Sequence, residues 1–367
     1  MELGIPTMLN HQHVPTSLAV CYVTWDTQPV ACHLPRKRKR QKMHVRKRVR
    51  NGSSARLSDC SLSASIPICS FGLVADIQAA SKPDGGGEGR VQRYAAATEK
   101  LGAAIDAWLH DLRRRRTRIS SPPLCCVLSL GDIVDGREDE ARTAEDLEAV
   151  LAHWRRLPPS CPAVHVVGNH CLKFLPRARL ERALQIPASY YRHELADGWA
   201  LLVLDTTDLS MHGGWTEGSD RAREAAAFAA AHAGETRMQP YNGGLGSAQL
   251  RWLDAQLEHA RAKGDRLIVA SHHAFAKGAC RETHRSWTGD EVAAKLECAS
   301  DVVVLALAGH DHLGGCVVAN GLAYVTLEAL LEAPVDGNAF GIVHVYEDHI
   351  AIDGCGTSVR ARTLPIR

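Results

Sequence analysis

Five short apolar runs recur along this chain, and each is followed at once by a residue that can bind a metal ion. Apolar runs of this length, bounded by turn-forming residues, are typical of buried β-strands. The residues that follow the runs are, in chain order, Asp76 and Gln78, Asp132, Asn169 and His170, His272, and finally His310 and His312. Ligand-binding side chains gather at strand ends in α/β proteins, so we expect these residues to meet at one sheet edge.

The segments between these runs show the helical spacing of apolar residues. Helices are predicted over residues 91–115, 138–156, 177–184, 221–233, 248–260 and 290–297, and a further strand over 199–204. Ser247 is placed to cap the fifth helix, because a serine hydroxyl can accept a hydrogen bond from the first turn. From Leu322 onward, short alternating segments predict antiparallel strands that complete a second sheet.

The first 65 residues differ from the rest of the chain. They show no helical or strand periodicity, and two dense basic runs lie at residues 35–40 and 46–50. We predict a disordered, solvated basic tail over residues 1–65, followed by one folded domain over 66–367. A nuclear-localisation patch and an organelle transit segment are the alternatives for the tail, whereas the lack of an apolar signal region argues against secretion.

Charge and cysteine content narrow the classes of function. The formal net charge is +2, but residues 1–60 hold 11 Lys and Arg against 3 Asp and Glu, while the remainder holds 32 against 38. The folded part is therefore mildly acidic, and we do not expect it to bind nucleic acid. The 12 cysteines include no C-x-x-C pair, and no apolar run is long enough to span a membrane. These features favour a cytoplasmic protein with reduced thiols, with a nuclear or organellar address left open by the basic tail.

The strand-end residues have the composition of a two-metal hydrolytic site. Two divalent ions roughly 3.5–4 Å apart can neutralise phosphoryl oxygens and supply a hydroxide near neutral pH. Asp132 suits the bridging position because a carboxylate has one oxygen for each ion, and Asp76 and Gln78 share one face of an extended segment. Oxygen and nitrogen ligands without thiolate favour Mn²⁺, iron or Mg²⁺ over a structural zinc site. His170 directly follows a ligand and is therefore placed to reach the substrate and to protonate or stabilise its leaving oxygen.

Each of these groups is common by chance, and only the complete set in this order carries the prediction. With that set, the chain resembles the calcineurin-like metallophosphoesterases, whose pattern is D-x-[HQ], G-D, G-N-H, a later His, and G-H-x-H. Within that superfamily it is similar to the Mn²⁺-dependent ADP-ribose/CDP-alcohol diphosphatase family. The features that carry the closer match are Gln78, residues 205–210, residues 241–244 with 249–253, and residues 325–346. The resemblance covers residues 68 to 362.

The resemblance implies a four-layer αββα sandwich of the α/β (α+β) class. The implied ligands are Asp76, Gln78, Asp132 and His312 for one ion and Asp132, Asn169, His272 and His310 for the other, with His170 as the catalytic histidine. The implied reaction hydrolyses ADP-ribose or a CDP-alcohol, such as CDP-choline or CDP-glycerol, to a nucleoside monophosphate and a phosphorylated sugar or alcohol. We expect two Mn²⁺ ions as cofactors, a small-molecule nucleotide as the partner, and a monomer. Substrate binding is assigned to Arg93, Asn242, Gly243 and Cys280.

Two positions depart from the superfamily pattern. Cys171 stands where relatives usually have Asp or Glu after Gly-Asn-His, a carboxylate that could orient His170. The residues after His272 lack the apolar-Pro pair that relatives often have.

Three other functions compete with the diphosphatase interpretation. The first is another metallophosphoesterase activity of the same fold, on a phosphodiester or a phosphoprotein. The second is a scaffold that has lost activity, for which Cys171 is the only support. The third is nucleic-acid binding through the tail, which predicts salt-sensitive binding that disappears when residues 1–60 are deleted.

Overall fold

The computed structural model describes residues 66–87, 89–116 and 122–366. The predicted basic tail, residues 1–65, lies outside the described residues, so its disorder stays a prediction. Two six-stranded sheets, a two-stranded ribbon and six α-helices form the part of the chain that the structure describes.

The first sheet combines three parallel strands with an antiparallel C-terminal extension. Its strands are β1 (Cys69–Val74), β2 (Leu124–Ser129), β3 (Ala163–His165), β12 (Ala339–Val345), β13 (His349–Gly356) and β14 (Arg362–Pro365). Their order across the sheet is β14-β13-β12-β1-β2-β3. The parallel strands β1, β2 and β3 therefore all end at the same edge.

The second sheet is built around four parallel strands. Its members are β4 (Tyr191–Ala196), β5 (Trp199–Val203), β8 (Arg266–Ala270), β9 (Val303–Ala308), β10 (Gly315–Ala319) and β11 (Leu322–Thr326). They are ordered β10-β11-β9-β8-β5-β4, with β5, β8, β9 and β11 parallel. The short strands β6 (Leu209–Ser210) and β7 (Gly243–Gly244) form the ribbon.

Helices flank the two sheets, and the fourth of the six packs against the ribbon strand β6. They are α1 (Tyr94–Arg116), α2 (Glu140–Trp154), α3 (Arg177–Leu184), α4 (Asp220–Ala231), α5 (Ser247–Lys263) and α6 (Gly289–Cys298). Helix α1 packs against the first sheet at Gly72, where a Cβ atom would lie 2.9 Å from the Trp108 ring. On the second sheet, buried Leu253 of α5 and Leu296 of α6 join one apolar cluster with Val269. No described helix has the length and apolarity needed to cross a membrane.

The two sheets share a buried apolar core. Side chains from both sheets belong to one cluster, among them Leu73, Val127, Ile268, Leu305 and Val325. With helices outside each sheet, this arrangement confirms the predicted αββα sandwich. Close packing of the four layers around this apolar core holds the strand ends of both sheets in fixed positions.

Three details of the predicted topology are wrong. The ligand-bearing strands belong to two sheets rather than to one. Strands β12 and β13 pair antiparallel as predicted, but they extend the first sheet beside β1, and β11 pairs in parallel with β9 as well as antiparallel with β10. Alternation of apolar residues does not specify a strand's partner. Ser247 is the first residue of α5, and the N-cap is Gly246, which provides no side-chain hydrogen bond.

Candidate metal centre

The ends of β1, β2 and β3 meet the ends of β8 and β9 at one seam between the sheets. Four of the predicted ligands there have left-handed backbone conformations, with φ of 50° at Asp76, 44° at Gln78, 50° at Asp132 and 67° at His310. Non-glycine residues rarely adopt positive φ, and such conformations cluster at functional sites because surrounding structure must hold them. The backbone thus turns sharply at each of these strand ends and directs the side chain into the seam.

Glycines beside the ligands allow this close approach. A Cβ atom at Gly168 would lie 2.2 Å from Asp132 Oδ1, and one at Gly309 would lie 2.7 Å from Asp76 Oδ2. A Cβ atom at Gly131 would lie 2.6 Å from Nδ1 of His272. Any larger residue at these positions would displace a predicted ligand.

Asp132 lies at the centre of the seam and is fully buried. Its Oδ2 atom is 3.1 Å from His272 Nε2 and accepts a hydrogen bond of 3.2 Å from Gln78 Nε2. Oδ1 of Asn169 is 3.0 Å from the same His272 nitrogen. Ligand atoms of Asp76, Asp132 and His272 all lie within 4.8 Å of one another, a spacing that a bound cation requires.

The remaining two histidines reach the same region from the loop after β9. The backbone N–H of His310 donates to both carboxylate oxygens of Asp76, at 3.1 and 3.0 Å. Nε2 of His312 lies 3.8 Å from Asp76 Oδ1. The structure therefore brings all seven predicted ligands together around the two buried aspartates.

Each of the three histidines has one ring nitrogen hydrogen-bonded to a group that is not a predicted ligand. Nδ1 of His272 is 2.8 Å from the carbonyl oxygen of Leu130, and Nδ1 of His312 is 2.7 Å from Glu332 Oε1. His310 is hydrogen-bonded through the other nitrogen, with Nε2 2.8 Å from Oδ1 of Asn242 in the loop before β7. Bonds of this kind fix the orientation of metal-binding imidazoles and the nitrogen that they present.

The electrostatics of the seam favour a cation. Burial raises the pKa of Asp76 to about 6, since a buried carboxylate is costly to ionise. For His272, burial acts to lower the pKa, but the adjacent Asp132 carboxylate outweighs it and raises the value to about 9. Burial, reinforced by neighbouring histidines, holds the pKa of His310 well below its ordinary range, so this ring is neutral and can bind a metal.

One buried oxygen at the seam has no partner. Within the described residues, Gln78 Oε1 is buried and makes no hydrogen bond, although buried carbonyl oxygens are nearly always satisfied. A hard divalent cation would satisfy that oxygen together with the carboxylates. The donor set of carboxylate, amide and imidazole groups, without thiolate, fits Mn²⁺, Mg²⁺ or iron.

A fourth histidine, His273, belongs to the same cluster but serves a structural role. Its ligand atoms lie within 4.8 Å of those of His272 and His310. Both of its ring nitrogens, however, are engaged by groups that are not predicted ligands: Nδ1 is 2.7 Å from Thr206 Oγ1 and Nε2 is 3.2 Å from the Tyr241 carbonyl oxygen. This ring braces the loop behind the ligands.

His170 faces the cavity in front of the seam. Its backbone N–H donates to Asp132 Oδ1 at 2.8 Å, and its Nδ1 lies 2.8 Å from Asp135 Oδ1. The Asp132 and Asp135 carboxylates raise the pKa of His170 above its ordinary value despite the opposing effect of burial. Lys82 forms an ion pair with the other oxygen of Asp135.

Cys171 does not orient His170. Its thiol is buried and accepts a hydrogen bond of 3.2 Å from the backbone N–H of Ile133. Asp135 instead supplies the carboxylate for His170, from the loop after β2. This role of Asp135 was not predicted from the sequence. Its position three residues after Asp132, in the same strand-end loop, could have indicated it.

A cavity of about 330 Å³ opens in front of the seam. It is lined by the ligands Gln78, Asn169, His310 and His312, by His170, and by Arg90, Gln92, Lys173, His212, Tyr241, Arg281, His284 and Glu332. Three cationic side chains therefore surround a metal-binding seam, as a polyanionic substrate requires. The last eight of these residues were not predicted to line a cavity, because they do not share the strand-end pattern that identified the ligands.

Arg281 is tied to the metal-binding loop. Its guanidinium contacts both carboxylate oxygens of Asp311, with Nη2 2.9 Å from Oδ1, and its backbone N–H donates to Oδ2 at 2.7 Å. Asp311 lies between His310 and His312. The same loop therefore carries two predicted ligands and, through Asp311, positions the cationic side chain of Arg281 in the cavity wall.

The four predicted substrate-binding residues lie outside the cavity lining. The Arg93 guanidinium donates to the carbonyl oxygens of Val91 and Ala333. Gly243 is buried in β7, and Asn242 is buried behind His310. Cys280 is half-buried and precedes Arg281, and burial raises the pKa of its thiol to about 12.

Comparison with known proteins agrees with this geometry. The family model described as calcineurin-like phosphoesterase matches residues 70–314, which include every predicted ligand. The chain belongs to this family.

The relatives narrow the assignment further. Proteins named manganese-dependent ADP-ribose/CDP-alcohol diphosphatase from Oryza sativa subsp. japonica and Arabidopsis thaliana are 31% and 30% identical to this chain. Each alignment covers 78% of this chain, and 91% and 94% of the respective relative. The chain belongs to the family of these diphosphatases, and the predicted resemblance is confirmed. A solved dimetal phosphatase from Danio rerio is 28% identical and superimposes with a TM-score of 0.73, over 82% of this chain and all of that one.

Proposed function

We propose that this protein is a metal-dependent hydrolase that cleaves the diphosphate of ADP-ribose and CDP-alcohols. The products are a nucleoside monophosphate and a phosphorylated sugar or alcohol. The observation that carries the proposal is the convergence of the five other predicted ligands on Asp132 and Asp76, beside a cavity lined by Arg90, Lys173 and Arg281. The relatives named for this activity support the choice of substrate.

The seam would hold two divalent ions, with Mn²⁺ as the first candidate and Mg²⁺ and iron as alternatives. Asp76, Gln78, Asp132 and His312 would hold one ion, and Asp132, Asn169, His272 and His310 the other. Bound ions of this kind neutralise phosphoryl charge and lower the pKa of a coordinated water so that it can act as a nucleophile. The mutual contacts of Asp132, Gln78 and His272 support Asp132 as the residue shared by both ions.

His170 would supply the proton that the leaving oxygen requires. Its Nδ1 is directed to Asp135, which leaves Nε2 for the cavity that the ring lines. The carboxylates on either side favour the protonated ring, which is the form needed by a general acid. Asp135 fixes the ring orientation, and Lys82 holds Asp135.

The cavity wall would bind the two phosphates and the base. The cationic groups Arg90, Lys173 and Arg281 match the charge of a diphosphate. The rings of Tyr241 and His284, whose centroids are 5.5 Å apart, offer a surface for a nucleobase. Arg93, Asn242, Gly243 and Cys280 would act from behind this wall rather than by direct contact. We further propose a monomeric cytoplasmic enzyme, with residues 66–367 as its catalytic domain and 1–65 as an appended tail.

The test uses purified, metal-free protein with ADP-ribose and CDP-choline, with Mn²⁺ or Mg²⁺ added and AMP or CMP detected. We expect metal-dependent release of the monophosphate, abolished by Asp132→Ala because that variant removes the shared ligand. Cyclic AMP serves as the competing substrate for a phosphodiesterase. Hydrolysis of cyclic AMP without release of AMP from ADP-ribose would overturn the proposal.

A further inference from the structure

Asn242 is fully buried, and its side chain contacts a predicted metal ligand rather than the cavity. Its Oδ1 atom lies 2.8 Å from His310 Nε2. The amide nitrogen points the other way and donates to the carbonyl oxygens of Arg237 at 2.8 Å and Thr283 at 2.9 Å. All three polar contacts of the side chain are therefore short and internal.

These contacts determine the tautomer of His310. Two carbonyl oxygens can only accept, so the –NH₂ group of Asn242 must face them and its oxygen must face the ring. Because that oxygen can also only accept, His310 must carry its proton on Nε2. Nδ1 is then the nitrogen with a free lone pair.

We propose that Asn242 is a positioning residue that selects Nδ1 as the nitrogen with which His310 binds its metal ion. The inference rests on the proposed two-metal centre and adds a determinant of its affinity. His272 and His312 are held through Nδ1, by Leu130 and Glu332, and so present Nε2. His310 is instead held through Nε2, by Asn242, and so presents Nδ1.

The loop that carries Asn242 is rigid enough for this task. The carbonyl oxygen of Gly243 accepts hydrogen bonds from Ser286 Oγ at 2.9 Å and from the Trp287 N–H at 2.8 Å. A Cβ atom at Gly243 would lie 2.3 Å from the Thr206 carbonyl oxygen, so glycine is required there. The Asn-Gly-Gly segment thus serves metal binding from behind the ligands.

The test measures metal binding by the full chain without substrate. Asn242→Leu keeps the volume of the side chain but lets His310 adopt either tautomer. We expect one Mn²⁺ ion to bind as in the wild type and the other about 10–100-fold more weakly by calorimetric titration, the usual effect of losing a partner of a ligating histidine. Nitrogen chemical shifts of the His310 ring in the metal-free protein should change from a single Nε2–H tautomer to a mixture.

Two further variants separate this role from simple structural support. Asn242→Asp retains the accepting oxygen but loses both donors, so it should keep the Nε2–H tautomer and near-wild-type affinity for both ions, at a lower melting temperature. Asn338→Leu is the matched control, since its amide bonds to Lys100 and Ala339 rather than to a ligand; it should bind both ions normally.

Equal loss of the second ion in Asn242→Asp and Asn242→Leu would overturn the proposal, because the loop anchors would then be what matters. Unchanged binding in Asn242→Leu would overturn it as well. Neither outcome depends on which substrate the enzyme hydrolyses, so failure here is distinguishable from failure of the proposed diphosphatase activity.

Discussion

His170 owes its orientation to a carboxylate that precedes it by 35 residues in the chain. Asp135 and its partner Lys82 perform the task that an acidic residue directly after Gly-Asn-His was expected to perform. The thiol of Cys171 is instead buried and accepts a hydrogen bond from the loop after β2. Because Asp135 supplies the carboxylate, the presence of Cys171 after Gly-Asn-His no longer supports an inactive scaffold.

Asp135→Asn should lower kcat roughly 100-fold with little change in KM, because His170 loses the carboxylate that orients it and favours its protonated form. Cys171→Glu should not raise kcat; it should lower the melting temperature, since it places a carboxylate in a buried site. Steady-state kinetics and thermal unfolding check both variants. Higher activity in Cys171→Glu would show that the usual carboxylate is missing after all.

The buried carboxylate of Asp76 lowers the stability of the metal-free protein once it ionises. Its folded-state pKa of about 6 exceeds its ordinary value of 3.8, so the metal-free protein loses stability as the pH rises through this range. Asp76→Asn removes the buried charge and should stabilise the metal-free protein by roughly 2–3 kcal/mol at pH 8, with no gain below pH 4. Chemical denaturation of chelator-treated protein at both pH values measures this. Equal stability of the two proteins at pH 8 would contradict the argument.

At the scale of the elements, the strand ends could be predicted because their residues form a repeated pattern. Apolar runs that stop at Asp132, Asn169 or His272 identify both the strand and the ligand. The sequence contains no such pattern to show which distant segments contact each other. Asn242 and His310 are 68 residues apart, and nothing near either one indicates the other. For the same reason, the positions of β12 and β13 in the first sheet could not be derived from their alternation.

The glycines beside the ligands are elements of the site in their own right. Gly168→Ala should weaken Mn²⁺ binding by about 10–100-fold, because the added Cβ atom would overlap Asp132 and displace it. Gly87→Ala is the control, since a Cβ atom there meets nothing within 4 Å. Calorimetric titration with Mn²⁺ distinguishes them. Normal binding by the Gly168 variant would mean that Asp132 does not bridge the ions.

At the scale of the whole molecule, the proposed activity resides in residues 66–367. All seven predicted ligands and the other residues that line the cavity lie between residues 76 and 332. Deletion of residues 1–65 should therefore leave kcat and KM on ADP-ribose unchanged. If the tail binds nucleic acid, the full chain alone should show salt-sensitive binding to it. A deletion that abolished hydrolysis would place part of the active site in the first 65 residues.

The seam between the sheets has a consequence for the lifetime of the folded protein. Ions held jointly by the ends of β1, β2 and β3 on one side and of β8 and β9 on the other would act as removable cross-links across the sandwich. The sheets could not separate at this end without breaking coordination bonds, so the ions would slow unfolding as well as favour the folded state. Such a cross-link opens by ligand exchange and needs no reductant. A cell short of the metal would lose the protein itself faster, in addition to losing its activity.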